Sequence, residues 1–289
     1  MAEPKIATVA NQALSVLLPY GTLIFCSSVL AIILVSDGLE RWLLPRLYGK
    51  VWAALRHGDK QRRRHALTRH HLFLLVMLPL SLVGAYPTFD FLVTRDDLSA
   101  PLAAGHQHRT SVTIGDSLFT LTHIYTAYYL FELCFYYKFS SAIVIVHHIG
   151  LIIVAQVALV LFVDLQAHPE ATMEFYMCLI WGLLDITVKV PQFSAMIVRQ
   201  VKDSDRTSAR IAYACCAWVL LGAMVQVAVT AYLLNRSWSR WRLTWRIVVP
   251  IILSLWISTQ LEVAFKLARM ARFKHPRARR DIEGSNPER

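Results

Sequence analysis

The sequence predicts an all-α membrane protein, a polytopic helix bundle with about seven transmembrane helices. Three observations lead there. Hydrophobic residues make up 56% of the 289 positions and charged residues only 17%, with a mean hydropathy of +0.44, which is too apolar for an ordinary soluble domain. Apolar runs of about twenty residues, each long enough to cross a hydrocarbon core, recur along the whole chain. Lysine and arginine gather in alternate connecting segments, the pattern that fixes membrane topology.

The first span is expected over residues 16–35, where Val29-Leu30-Ala31-Ile32-Ile33-Leu34 carries the apolar run past the length of a signal peptide. Residues 36–71 follow, with nine Lys and Arg interleaved with Trp42, Leu43, Leu44, Leu47, Trp52 and Leu55. Two readings fit this stretch: an amphipathic helix lying along the interface, or a solvated topogenic loop. Together, residues 1–70 form an N-terminal spanning helix with a basic cytosolic or interfacial segment.

Span two covers 72–93, where Pro79, Gly84 and Pro87 predict a kink or break. A polar loop with His106 and His108 leads to span three (117–137). The four-residue turn 138–141 makes span four (142–163) its antiparallel neighbour. Spans five (171–198), six (211–234) and seven (247–265) complete the count, and 271–289 is a basic cytosolic tail. The five cysteines all sit in apolar sequence without CxxC spacing, so packing rather than a disulfide or zinc site is expected.

Alternating the segments across a membrane places 22 of the 30 Lys and Arg on one side, which predicts a lumenal N-terminus and a cytosolic C-terminus. The net charge of +11 is therefore spent on topology and lipid headgroups, not on nucleic acid. Asn235-Arg236-Ser237 matches a glycosylation sequon close to the membrane.

Polar groups inside apolar spans mark the candidate site, because they are expensive there. On span three, Tyr125, Tyr128, Tyr129 and Tyr136 lie three, four or seven residues from Glu132 and share its face. His123, about half a turn out of phase, belongs to another face. Span four carries adjacent His147 and His148, about 100° apart on the helix, so both can border one cavity without making the same contacts. A metal would prefer ligands at i and i+4, so no metal is assigned. On span five, Asp185 and Lys189 are spaced for an intrahelical ion pair. An imidazole that takes a proton from an attacking amine or hydroxyl, with a carboxylate orienting it, suits acyl transfer. Hydrogen bonding that merely stitches helices together is the bland alternative.

Tyr129-Leu130-Phe131-Glu132, Lys138-Phe139-Ser140-Ser141, Val146-His147-His148-Ile149 and Leu183-Leu184-Asp185-Ile186-Thr187-Val188-Lys189, in that order, resemble the TLC domain shared by ceramide synthases and several lipid-regulating membrane proteins. The resemblance spans roughly 70–270 and sets the domain as 71–270. It implies an endoplasmic-reticulum protein of sphingolipid-type metabolism, with His147, His148 and Asp185 catalytic and acyl-CoA as co-substrate, no further cofactor being needed. Glu132, Tyr129, Tyr136 and Lys189 are then expected to touch the lipid. Membrane lipids and acyl-CoA are the expected partners, with a homo-oligomer left open. The family's pattern has a second aspartate where this chain has Gly182, so a non-catalytic lipid regulator or carrier stands beside the enzyme. A di-iron hydroxylase, suggested by His65, His70 and His71, ranks below both because their spacing is wrong for histidine boxes.

Overall fold

A computed structural model describes residues 15, 17–55, 60–93, 114–163, 171–201, 205–240 and 243–284. His106 and His108 lie outside them. Among the described residues every regular element is helical, so the predicted all-α bundle stands. The helices are α1 (Gly21–Gly38), α2 (Leu44–Ala54), α3 (Lys60–Val93), α4 (Ile114–Tyr136), α5 (Ala142–Val163), α6 (Ala171–Val201), α7 (Asp205–Ser237) and α8 (Leu243–Gly284). Five stretches are long and apolar enough to cross a membrane: Leu18–Ala54, Gln61–Tyr86, Ala142–Val160, Thr207–Asn235 and Leu243–Arg272. The remaining two helices, α4 and α6, bring Glu132, Asp185 and Lys189 into the bundle.

The described residues of the basic stretch after the first span are largely helical and pack against the bundle. A π-helical turn at Leu39–Leu43 joins α1 to α2, and Gly49 breaks α2 with φ 41° and ψ −108°, a left-handed conformation that strains any side chain. Beyond that bend Trp52 is buried under the guanidinium of Arg64, 4.8 Å above its ring, and Arg64 pairs with Glu40 at 3.0 Å. Arg46 instead lies 4.1 Å over exposed Trp42. Basic residues and tryptophans thus pair with one another, one pair inside and one at the surface.

Helix α3 starts at Lys60, twelve residues before the expected span, and runs unbroken through Pro79 and Gly84. Of the kink or break expected in span two, the break does not occur, and the physical reason is environmental. Opening a helix inside hydrocarbon exposes backbone groups that nothing outside can satisfy. At 34 residues α3 is roughly 50 Å long, so its basic first turns reach well past the apolar core. It runs continuously through the 70/71 junction, which carries Arg69 into contact with the rest of the bundle.

Helix α6 is central, packing against α3, α5 and α7, while α1 lies on α4 and α7 lies along α8. A 3₁₀ turn at Tyr137–Phe139 joins α4 to α5 as antiparallel neighbours, as the short connection predicted. Pro191 inside α6 lacks the N–H that would satisfy the Thr187 carbonyl, and the indole of Trp218 on α7 donates to that oxygen at 3.1 Å. Similar polar ties cross the bundle elsewhere: Gln156 donates to Thr126 at 3.2 Å, and Trp181 donates to Thr230 at 2.8 Å.

Gly222 of α7 faces Val188 of α6 so closely that an added Cβ would stand 2.2 Å from Val188 Cγ2. A β-branched side chain in a helix has one strongly preferred rotamer, so Val188 cannot swing aside. Gly222→Ala is therefore expected to lower stability by about 1–3 kcal/mol through overpacking. Thermal unfolding in detergent reads this as a lower midpoint, and an unchanged midpoint would show that α6 and α7 do not meet there as described.

Candidate functional site

Glu132 and Asp185 each sit in a compensated polar nest. Both carboxylates are almost fully buried. On Glu132, Arg69 of α3 donates from Nε to Oε1 at 2.6 Å and from Nη2 to Oε2 at 2.9 Å, a bidentate pair. Tyr128, one turn earlier on α4, donates to Oε1 at 2.8 Å. His148 Nε2 stands 3.5 Å from Oε2. This half of the site is closed, with both carboxylate oxygens engaged.

On Asp185, Lys189 donates to Oδ2 at 2.7 Å, one turn further along α6, and Tyr129 of α4 donates to the same oxygen at 2.9 Å. Lys189 also donates to Tyr129 Oη at 3.3 Å. The other oxygen, Oδ1, takes a longer bond from Trp256 Nε1 of α8 at 3.3 Å and faces His147 Nε2 at 3.8 Å. The imidazole of His147 meets the Trp256 ring edge-on, with centroids 4.8 Å apart, and its Nε2 is buried without a hydrogen-bond partner. In this half one nitrogen is buried without a partner and one oxygen takes only a long bond.

The two halves repeat one design: a carboxylate, a cation, a tyrosine and a histidine. Tyr129 joins them, because its hydroxyl serves Asp185 while its ring packs against His148 at 4.8 Å. The two imidazoles lie 5.8 Å apart between centroids. All of Glu132, Tyr129, His147, His148, Asp185 and Lys189 line one cavity of about 250 Å³. Its wall is completed by Ser140 and Ser141 of the α4–α5 turn, by Phe193 and Met196 of α6, and by Lys266 of α8.

His147 and Thr259 also line a smaller pocket of about 50 Å³ between α5 and α8. Ile252 of that pocket in turn borders an apolar cavity of about 150 Å³ walled by Ile153, Val157, Trp181, Trp245 and Val249. Shared lining residues therefore set the charged chamber, the small pocket and the apolar one side by side. A charged head and an apolar tail find matching surroundings along this series.

Among the residues expected to touch a ligand, Tyr136 does not line the cavity. It is buried one turn beyond Glu132, against Phe131 with ring centroids 5.8 Å apart. His123 faces elsewhere as its phase predicts, bonded through Nδ1 to the Phe119 carbonyl oxygen at 2.9 Å. The three clustered histidines of α3 diverge: His65 faces Glu40 at 3.6 Å, His71 bonds Tyr48 at 2.8 Å, and His70 packs on Phe193 in the cavity wall. Gly182 lies beside Tyr125, where an added Cβ would meet its ring at 3.6 Å.

Arg69 and Trp256 are site residues that sequence reasoning missed. A span that starts at Leu72 leaves Arg69 in the basic stretch, although Leu67, one turn before His71, already continues the apolar face. Trp256 gave no signal, since a tryptophan in an apolar span is ordinary. No family model, curated protein or solved structure matches the chain.

Proposed function

We propose that the chain is a multi-pass endoplasmic-reticulum protein of TLC type that transfers an acyl group from acyl-CoA to the amine or hydroxyl of a sphingolipid-type acceptor. The observation that carries this reading is the convergence of Glu132, His147, His148 and Asp185, from three helices, on one cavity. His147 is the reacting imidazole, because its Nε2 is unengaged and Asp185 Oδ1 lies beside it. His148 and Glu132 form the supporting half, since Arg69 and Tyr128 already hold that carboxylate.

In the reaction, His147 Nε2 takes the proton from the acceptor N–H or O–H as that atom bonds to the thioester carbonyl carbon. Asp185 stabilises the imidazolium that forms, and collapse of the tetrahedral species breaks the C–S bond. The departing thiolate takes the proton back, giving free CoA and the acylated lipid. The acyl chain then lies along the neighbouring apolar groove walled by Ile153, Val157 and Val249. Placing the C-terminus in the cytosol and the N-terminus in the lumen puts the α4–α5 turn and Lys266, both at the charged chamber, on the side where acyl-CoA is found.

Purified protein given a long-chain acyl-CoA and a panel of long-chain amines and lipid alcohols is expected to release free thiol, measured with a thiol reagent. No release with any acceptor would sink the enzyme. A second reading, a non-catalytic lipid carrier, draws on Gly182 in place of the acidic residue and on the cations that already neutralise both carboxylates. It expects lipid binding to survive replacement of both histidines by alanine.

A further inference from the structure

A second polar feature borders the same cavity through Gln260 of α8. Gln226 of α7 is fully buried and Gln260 of α8 is 4% exposed, and Gln260 Nε2 donates to Gln226 Oε1 at 2.7 Å. A primary amide offers two donor hydrogens and an acceptor oxygen, so one mutual bond leaves part of each amide unused. Here Gln226 Nε2 and Gln260 Oε1 have no hydrogen-bond partner. Turning both amides over exchanges the atoms but still leaves one polar atom over on each.

Such groups are costly in a bundle that spans hydrocarbon, where an apolar pair would pack as well. Neighbouring Thr259 shows the contrast: its hydroxyl is consumed internally by the Trp256 carbonyl at 2.7 Å. Gln260, by comparison, lines the cavity, and its Oε1 is buried without a partner. Trp256, which donates to Asp185, precedes Gln260 by four residues on α8. That spacing places them on one face with a rise of about 6 Å, so Gln260 lies one helical turn from the residue that bonds Asp185.

We propose that Gln260, held by Gln226, is a specificity-determining residue that recognises a hydroxyl or amide on the head of an amphiphile. The recognised group lies a few bonds from the one that meets His147. A hydroxyl or an amide N–H···O=C unit both donates and accepts, so it satisfies Gln260 whichever way the side chain is turned. A head group without one leaves Gln260 unpaired, and that difference is what the site measures. This rests on reading the cavity as a lipid head-group site, and it does not require that acyl transfer occurs there.

The test compares two probes on the full-length protein in detergent: hexadecylamine, and the amino alcohol that carries a hydroxyl on the adjacent carbon. Affinities come from ligand-dependent thermal midpoints, with CoA release assayed separately on the same samples. The wild type is expected to prefer the amino alcohol roughly tenfold, the worth of one good hydrogen bond. In Gln260→Leu the preference falls to within about twofold. The double variant Gln226→Leu/Gln260→Leu behaves the same and leaves neither amide stranded, which covers misfolding of the single variant. Equal affinities in the wild type overturn the inference, as does an undiminished preference in the folded variants. A preference that is lost in the variants, with no CoA release from any sample, upholds the inference and refutes acyl transfer alone.

Discussion

Replacing Glu132 by alanine is expected to destabilise the protein by about 3–5 kcal/mol, the largest effect of any single change at the site. The reason is Arg69. Its guanidinium is held by two bonds to Glu132 and its side chain is only 19% exposed, so removing the carboxylate leaves a cation enclosed among helices. Tyr128 loses its acceptor in the same step. Arg69→Met strands the carboxylate in turn, though Tyr128 and His148 remain beside it. The double variant Arg69→Met/Glu132→Leu removes both charges and is expected to recover most of what Glu132→Ala loses, because an apolar pair carries no desolvation cost. A double-mutant cycle on thermal or denaturant midpoints measures this coupling. If Glu132→Ala melts with the wild type, the pair does not organise α3 against α4.

That pair also marks the boundary of what was legible in the sequence. Local chemistry was readable: Asp185 and Lys189 pair across one turn as spaced, Tyr128 reaches Glu132 four residues on, and the short turn brings α4 against α5. Each follows from helix geometry alone. The all-α membrane-like bundle was readable for a similar reason, since length and apolarity suffice to define a span. Long-range choices were not. The apolar face that starts at Leu67 sets Arg69 inside the span, but nothing in residues 60–71 says that Arg69 crosses to Glu132 while Arg64 turns to Glu40 and Trp52. Proline and glycine suggested a break in α3 because soluble-protein logic counts water as a partner for freed backbone groups, and hydrocarbon provides none. The two histidines could be placed on one cavity by phase, but not told apart. What separates them is a donor on another helix, Trp256, and the saturation of Glu132 by Arg69.

On the proposed acyl transfer, His147→Ala is expected to lower CoA release by about 10²–10⁴-fold, the usual worth of a positioned acid-base group. His148→Ala is expected to cost less, because Glu132 keeps Arg69 and Tyr128 without it. The asymmetry is the informative part. Both imidazoles are buried to a similar degree, so loss of packing alone would affect the two variants alike. Only His147 has an unengaged Nε2 beside a carboxylate oxygen whose other donor is as distant as 3.3 Å. Added imidazole supplies a further check, since it fits the space that His147→Ala leaves and restores a base without restoring any backbone-linked contact. Concentration-dependent rescue of His147→Ala, with none for His148→Ala, is the expected result. Equal losses in the two folded variants, without rescue of either, would mean that the histidines bind helices together and that any chemistry in the cavity belongs to other groups.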